Sequence, residues 1–318
     1  NLNMAWGALA GHLSNVIILN FIRPGQILML PTTTGLREIF RFGSIASLIT
    51  LLGELGSASH GLIMGKTLGF SDVAYYSRAA GLRDMFLWQL YTLVKGVHFP
   101  TFSERVRKGE NAALLYRNAV RHLTAITIPA MALLAVLSEP LIRSFFGTQW
   151  DRSAPLASML CVFAIFMTPY SLGNLSLIAA GHIDRVLKIE ISVQTLRVLA
   201  LVSSVWLTLE QVVPVLGLVF LIEAAIYQAS LTKFFDLDLV TMFKEIQKSL
   251  LLIPFTITAP LLVAYMLPVG KTSTSDIFIT LATSGILACA GWLLGLRLMK
   301  HPLGDEIVSF GRKLSRKT

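Results

Sequence analysis

Residues 212–231 read VVPVLGLVFLIEAAIYQASL, and the basic residue Lys233 lies just beyond them. About 20 predominantly apolar residues are enough for a helix to cross the hydrocarbon core of a bilayer. A single carboxylate, Glu223, interrupts this stretch. Segments of the same kind recur along the chain and predict an all-α polytopic membrane protein with about nine transmembrane helices. The predicted spans are Met4–Phe21, Phe42–Lys66, Val73–Val94, Thr124–Leu137, Ala154–Ala180, Val186–Leu207, Val212–Leu231, Leu250–Leu267 and Ile277–Leu298.

The composition excludes an ordinary soluble domain. Hydrophobic residues make up 54% of the chain and charged residues only 14%, with a mean hydropathy of +0.67, whereas soluble domains are roughly 25% charged. No run shows the two-residue alternation of a membrane barrel strand. The net charge of +9 falls largely in the gaps between spans and in the tail. Membrane topology and anionic head groups therefore explain it better than nucleic acid does.

Lysine and arginine are concentrated in every second gap. The third gap, for example, holds Lys95, Arg105, Arg107, Lys108, Arg117 and Arg121. The positive-inside rule then predicts that the odd gaps and the C-terminus are cytoplasmic and that the N-terminus lies outside. Because no signal-peptide pattern precedes the first span, we interpret the chain as a fragment whose earlier spans are missing.

Polar residues share helical faces inside several spans. Glu54 lies on a stripe of span two with His60 beside it, Glu190 and Arg197 share a stripe of span six, and Glu223 interrupts span seven. Span three carries Arg78, Arg83 and Asp84. Charges in a span are costly, and they usually face protein or a hydrated cavity.

Two interpretations of these residues remain open. In the first, Arg78, Arg83 and Arg197 bind an anionic head group, because the guanidinium fork matches phosphate. Glu54, Glu190 and Glu223 then pair with the arginines or couple to cations, and His60 is a weaker candidate for proton coupling. In the second, the charges form interhelical or local ion pairs, such as Arg83 with Asp84.

Motifs for catalysis, metal binding and cofactor binding are absent from the sequence. Neither a GxSxG, HExxH or Walker pattern nor a metal cluster is present, and Cys161 and Cys289 lack a metal or redox spacing. We therefore expect no enzyme activity, no metal and no cofactor. Gly61 and Gly65 form a small-xxx-small pair that predicts a close helix approach in span two.

Three motifs carry a resemblance to a known family. Residues 68–83 read LGFSDVAYYSRAAGLR, residues 99–103 read FPTFS at a predicted turn, and residues 138–147 read SEPLIRSFFG, with Trp150 following. In this order and spacing they resemble the polysaccharide (O-antigen and exopolysaccharide) flippases of the multidrug/oligosaccharidyl-lipid/polysaccharide exporter superfamily. The family pattern includes Arg78 as a recurrent position.

The resemblance implies a MATE-like fold of two helical lobes around a central cavity. Residues 1–34 would hold the last helix of the first lobe and a linker, residues 35–298 the complete second lobe, and residues 299–318 a basic cytoplasmic tail. The implied function is to flip an oligosaccharide linked to undecaprenyl diphosphate from the cytoplasmic to the outer leaflet of the bacterial inner membrane. Implied partners are the lipid-linked oligosaccharide, the bilayer, H⁺ or Na⁺, and the polysaccharide polymerase and chain-length machinery; no nucleic acid is implied.

Three other functions fit the same features. A flippase for a lipid-linked peptidoglycan precursor would differ only in its substrate. A cation-coupled multidrug antiporter of the same superfamily would share the fold. A membrane glycan polymerase would be an enzyme, and the short outer gaps of this chain argue against it.

Overall fold

A computed structural model describes residues 2–22, 35–266 and 274–315. These residues form helices and turns, with no strand among them. The helices are α1 (Leu2–Ile22), α2 (Leu36–Thr67), α3 (Phe70–Arg107), α4 (Ala112–Val136), α5 (Ser138–Phe146), α6 (Ser153–Met167), α7 (Gly173–Ala179), α8 (Ile183–Val202), α9 (Leu209–Phe235), α10 (Leu239–Met266), α11 (Thr274–Leu298) and α12 (Pro302–Ser315). The chain divides into two compact units, Asn1–Ser44 and Ile45–Thr318.

Six described helical segments are long and apolar enough to cross a membrane. They are α2, α4, the segment Ser153–Ala179, α9, α10 and the stretch Ile277–Leu298 of α11. This confirms the predicted all-α polytopic membrane protein. The other three predicted spans fall on α1, α3 and α8, and α3 and α8 are richer in charged residues than the six. The number of nine spans and the division into lobes stay predictions.

The turn expected at the FPTFS motif is not found at that position. The FPTFS motif, predicted as a turn, lies inside α3, which continues to Arg107 with Pro100 in its interior. The chain reverses instead after Lys108, where Gly109 has the positive φ of 83° that glycine adopts without steric cost. Asn111 then caps α4 by accepting a hydrogen bond from the backbone N–H of Leu114 (3.1 Å). The basic stretch before span four is therefore an extension of that helix.

The fifth predicted span is broken. Its two parts, α6 and α7, are joined by a short 3₁₀ turn at Thr168–Tyr170 that contains Pro169. The carbonyl oxygen of Pro169 accepts a hydrogen bond from the hydroxyl of Tyr116 (2.9 Å). Irregular backbone inside a membrane protein is tolerated where protein buries it or where it lines a cavity, and this turn does both.

Buried apolar residues of the second unit form two large clusters. The first joins the early part of α3 to the start of α6, the end of α8 and the start of α9, and includes Leu82, Leu160 and Leu201. The second joins the later part of α3 to α4, α7 and the other ends of α8 and α9, and includes Tyr116 and Leu231. Between these two clusters, polar side chains of α3, α4, α7, α8 and α9 face one another.

The close helix approach lies elsewhere than predicted. A Cβ at Gly61 would meet nothing within 4 Å, and one at Gly65 would only touch side chains at ordinary contact distance. In α11, by contrast, a Cβ at Gly291 would lie 2.1 Å from the carbonyl oxygen of Phe255, and one at Gly295 would lie 2.9 Å from Leu252. Gly291 and Gly295 therefore set the distance between α10 and α11.

A buried histidine anchors the start of α12. His301 is only 1% exposed, and its Nδ1 accepts a hydrogen bond from the backbone N–H of Leu303 (3.2 Å). Its Nε2 finds no hydrogen-bond partner among the residues that the structure describes. Burial, with smaller contributions from His122, Lys248 and Arg121, lowers the pKa of His301 to about 4.

The low pKa of His301 predicts that the docking of α12 depends on pH. When α12 is released, the histidine binds a proton near its ordinary pKa of 6.5, but the docked form resists protonation down to about 4. Docking is therefore fully stable above pH 6.5 and weakens as the pH falls from 6.5 toward 4. Hydrogen exchange of residues 302–309, corrected for intrinsic rates, should quicken over this interval. The His301→Gln variant should lose that pH dependence, and an equal response in wild type and variant would contradict the assignment.

Candidate functional site

A cavity of about 460 Å³ opens among the helices of the second unit, between the two apolar clusters. Its wall includes hydroxyl, amide and charged side chains from α3, α4, α7, α8, α9 and the turn before α7. We call it the polar cavity. Its polar lining residues are Arg83, Asp84, Tyr91, Thr127, Thr168, Tyr170, Ser171, Asn174, Glu190, Glu223 and Tyr227.

A chain of polar contacts runs along α8 and crosses to α9 at this cavity. Gln194 donates a hydrogen bond to Glu190 (Nε2 to Oε1, 2.6 Å) and accepts one from Arg197 (Nη1 to Oε1, 3.0 Å). Arg197 faces Glu223 of α9 across 3.6 Å, and both side chains are 17% exposed. A separation of 3.6 Å exceeds that of a hydrogen-bonded ion pair. The guanidinium is therefore attracted to Glu223 without being fully engaged by it.

Arg83 reaches the same cavity but is held differently. Its Nε donates to Oδ1 of Asp84 at 2.8 Å, and a second guanidinium nitrogen lies 2.6 Å from the same carboxylate. The guanidinium carbon lies 5.5 Å from the ring centre of Phe220, within cation–π range. The structure thus contains the local ion pair that was one of the two interpretations of Arg83.

Helix α2 presses against this chain of contacts through glycines. A Cβ at Gly56 would lie 1.8 Å from Oε1 of Gln194, and one at Gly53 would lie 3.6 Å from Oε1 of Glu190. Because Gln194 is held by both Glu190 and Arg197, it cannot swing aside without breaking those bonds. Because Gly56 has no side chain, α2 can approach the amide of Gln194, which links Glu190 to Arg197.

The remaining predicted site residues lie outside the polar cavity. Glu54 is an exposed residue of α2, on a stripe in which Ser47, Thr50 and Ser57 are exposed as well. His60 bonds through Nδ1 to the carbonyl of Gly56 (3.1 Å) and stacks on a tyrosine ring at 5.4 Å. Of the seven site residues that the sequence predicted, Arg83, Glu190 and Glu223 line the polar cavity, and Arg197 lies beside it, 3.6 Å from Glu223.

Arg78 belongs to a separate arginine–aromatic cluster. Its guanidinium carbon lies 5.1 Å from the ring centre of Phe146 and 5.0 Å from that of Trp150. Beside it, Arg152 donates to Asp72 (2.6 Å) and to Glu210 (2.7 Å), which ties the starts of α3 and α9 to the loop before α6. The hydrogen bond to Glu210 raises the pKa of Arg152 above its ordinary value.

Another charged cluster joins α4 to α10, and the sequence analysis did not find it. The side chain of Glu245 is only 4% exposed and receives hydrogen bonds from both Arg117 (2.5 Å) and Arg121. A buried carboxylate satisfied in this way holds two helices in register, although its net contribution to stability is small. The three residues lie near the end at which α3 joins α4.

Tyrosine and amide groups of the polar cavity were also missed. Tyr170 donates to the side-chain oxygen of Gln228 (3.1 Å), and Asn174 follows one turn later on α7. The one available signal was Pro169 within an apolar segment, since a helix break at membrane depth points to a lined cavity. Among the described residues, no group of three metal-ligating side chains is close enough to hold an ion.

Comparisons with known proteins find similarity to a family of polysaccharide biosynthesis proteins and to three curated proteins. The profile of a family described as "Polysaccharide biosynthesis protein" matches residues 2–155. The chain is 24% identical over 228 residues to the teichuronic acid biosynthesis protein TuaB of Bacillus subtilis, covering 71% of this chain and 46% of that one. It is 28% identical over 136 residues to the succinoglycan biosynthesis transport protein ExoT of Rhizobium meliloti, covering 42% and 26%.

A third relative is the lipopolysaccharide biosynthesis protein WzxC of Escherichia coli, 23% identical over 134 residues, with 42% of this chain and 27% of that one covered. The chain thus spans less than half the length of the curated relatives it matches. No solved structure matches it. The comparisons confirm the predicted resemblance to polysaccharide flippase-type proteins.

Proposed function

We propose that this chain, similar to polysaccharide biosynthesis and transport proteins, forms the second lobe of a flippase. The flippase would move an oligosaccharide linked to a polyprenyl diphosphate from the cytoplasmic to the outer leaflet of the bacterial inner membrane. The observation that carries the proposal is the polar cavity: Glu223 lines it and is incompletely paired with Arg197, among helices of membrane-spanning length. The names of the relatives support the polysaccharide substrate class.

The incomplete ion pair offers a mechanism for substrate binding. A diphosphate carries more negative charge than a carboxylate and matches the guanidinium fork, so it competes with Glu223 for Arg197. Gln194 keeps the guanidinium oriented through its 3.0 Å hydrogen bond. Arg83 also lines the wall, and its ion pair with Asp84 would have to open before it supplied a second positive charge.

Displacement of Glu223 from Arg197 by the diphosphate offers a mechanism for coupling transport to an ion. When the diphosphate occupies Arg197, Glu223 loses its counter-charge while it is largely buried, and a buried carboxylate without a partner binds a cation or a proton. Glu190, on the opposite side of Gln194, would share that role. H⁺ or Na⁺ taken up in this way would be released when the lipid-linked sugar leaves.

The exposed polar stripe of α2, with Glu54 at its centre, would line the rest of the pathway with the first lobe. In this arrangement the hydrated glycan passes between lobes while the lipid tail stays in the bilayer. The basic gaps and the C-terminus would be cytoplasmic, as the positive-inside rule predicts. The polymerase and the chain-length machinery would act on the flipped product.

The test is deletion of the full-length gene in its host, followed by analysis of lipid-linked oligosaccharides in each leaflet. We expect precursor stranded on the cytoplasmic leaflet, loss of surface polysaccharide, and recovery of both on complementation. Complete units that reach the outer leaflet without being polymerised would identify a polymerase instead. Unchanged glycan with altered drug tolerance would identify a multidrug antiporter.

A further inference from the structure

A separate cavity of about 450 Å³ lies between α11 and α12. On α11 its lining extends from Ala290 to Arg297, which is about 10 Å at 1.5 Å per residue. We call it the α11–α12 cavity. No described residue lines both this cavity and the polar cavity, so the two are distinct sites.

The α11–α12 cavity has aliphatic walls and is open on one side. Its floor includes Leu296, which is buried in the same apolar cluster that Leu303 of α12 packs against. On the open side, Leu293 is 45% exposed and Leu294 is 53% exposed, and Ile307 of α12 is exposed as well. An exposed apolar surface on a helix of membrane-spanning length marks contact with lipid or with protein.

The charged residue of the lining is Arg297. It lies in the last turn of α11 and is exposed. Among the residues that the structure describes, none forms a hydrogen bond or an ion pair with its guanidinium. An arginine near the end of a spanning helix reaches the level of the lipid head groups. There its free N–H fork matches the geometry of a phosphate.

The surrounding sequence favours a negatively charged head group. Residues 297–318 contain six lysines and arginines but only two acidic residues, Asp305 and Glu306. Glu306 lies 3.1 Å from Nε2 of His122 on α4, which leaves Asp305 as the acidic residue beside the lining residue Gly304. Clusters of roughly four to eight basic residues next to a spanning helix attract anionic lipids. The basic residues are Arg297, Lys300, Arg312, Lys313, Arg316 and Lys317.

We propose that the α11–α12 cavity binds an anionic phospholipid of the surrounding bilayer. The phosphate lies on Arg297, and the first part of one acyl chain lies along Leu293, Leu294 and Ile307. The length of the cavity fits this arrangement, because about 10 Å is most of the hydrocarbon thickness of one leaflet, roughly 15 Å. The site does not depend on the proposed transport function.

The sequence of α12 agrees with a helix that lies along the membrane surface. Apolar residues recur at positions 303, 307, 310 and 314, the spacing of one helical face, while charged residues occupy the positions between them. A lipid in the cavity would contact both α11 and α12. Its binding therefore stabilises the docked position of α12, as any ligand of the docked form does.

The first test is photolabelling of the full-length protein in phosphatidylcholine nanodiscs that contain a small fraction of diazirine-tagged phosphatidylglycerol. We expect label on residues 290–307 that untagged phosphatidylglycerol displaces. The Arg297→Gln variant should lower this labelling roughly tenfold, because a charge-assisted hydrogen bond to the phosphate is lost. Arg297→Lys keeps the charge without the fork and should lower it less.

Two control variants separate the site from general surface effects. Arg107→Gln removes an exposed arginine from the last turn of α3, on the side of the membrane that is predicted for the C-terminus as well. It should leave the label on residues 290–307 unchanged. Ala290→Trp fills the apolar end of the cavity and should lower the label. Ala282→Trp, at an exposed alanine of α11 that does not line the cavity, should not.

Hydrogen exchange of residues 302–309 supplies an independent measurement. At pH 8, where His301 is uncharged whether α12 is docked or released, exchange should be slower in phosphatidylglycerol nanodiscs than in phosphatidylcholine nanodiscs. The Arg297→Gln variant should lose this difference. Equal exchange in the two lipids for the wild type would contradict the inference.

The other outcomes of the labelling experiment are equally decisive. Labelling by tagged phosphatidylcholine as strong as that by phosphatidylglycerol would show a general lipid contact. Crosslinks from residues 290–307 to another part of the protein or to a second copy, without lipid label, would show that protein covers this face. Either result would overturn the inference, as would unchanged labelling of Arg297→Gln. None of these measurements involves glycan export, so the lipid site and the flippase proposal can fail separately.

Discussion

The Arg197→Ala variant is expected to lose nearly all glycan export. Arg197 links α8 to Glu223 of α9 and holds the side-chain oxygen of Gln194. A charge-assisted hydrogen bond contributes about 1.5–3 kcal/mol, so losing it should lower the affinity for a diphosphate roughly 10- to 100-fold. The measurement is the amount of surface polysaccharide in the complemented deletion strain, normalised to the amount of protein in the membrane.

Two further variants separate substrate binding from a purely structural ion pair. Removing one partner of a buried pair costs about 3–5 kcal/mol because the other charge is left uncompensated, so Arg197→Ala alone could also lower protein levels. The double variant Arg197→Ala/Glu223→Gln removes both charges and should restore the protein level but not export. Arg197→Lys keeps the charge without the fork and should retain partial export. Full export in the double variant would show that the pair only stabilises the bundle.

The sequence predicted the membrane class and much of the polar cavity because both follow from local patterns. Apolar length sets the spans, and Glu190 and Arg197 share one helical face at a spacing that needs no tertiary information. The motifs at residues 68–83 and 138–147 added the family resemblance that the comparisons confirm. Which face of a helix meets which neighbour is a different question, because it depends on how the helices pack.

Arg78 and Glu54 illustrate what local patterns leave open. Arg78 lies five residues before Arg83 in the same helix, and that offset points the two guanidinium groups to different neighbours. Arg78 meets the rings of Phe146 and Trp150, whereas Arg83 reaches the polar cavity. Glu54 lies on a face of α2 that is exposed in the described structure, so its partners depend on packing that the described residues do not include.

The pairs Gly61/Gly65 and Gly291/Gly295 also show that a local sequence pattern does not determine how helices pack. A small-xxx-small pattern permits close approach but does not say which pair is used. Gly61 and Gly65 fit the pattern as well as Gly291 and Gly295 do, yet only the second pair meets another helix closely. The distinction comes from the antiparallel arrangement of α10 and α11, which no property of either segment alone determines.

The Gly291→Ala variant is therefore expected to destabilise the protein markedly. The added Cβ would lie 2.1 Å from the carbonyl oxygen of Phe255, which belongs to the backbone of α10 and cannot rotate away as a side chain can. To relieve this clash, α10 and α11 would have to move apart along the face on which they pack. Overpacking of this kind costs about 1–3 kcal/mol, and it outweighs the gain of up to about 1 kcal/mol in helix propensity from replacing glycine by alanine.

Gly285→Ala is the matched control on the same helix, because a Cβ there would meet nothing within 4 Å. That variant keeps the propensity gain without the clash, so its melting temperature in detergent should equal or exceed that of the wild type while that of Gly291→Ala falls. Export should follow protein level in both, since neither glycine lines the polar cavity or the α11–α12 cavity. Equal melting temperatures for the two variants would mean that α10 and α11 are farther apart than described. Loss of export by Gly291→Ala at a normal protein level would instead mean that the α10–α11 spacing itself matters for transport.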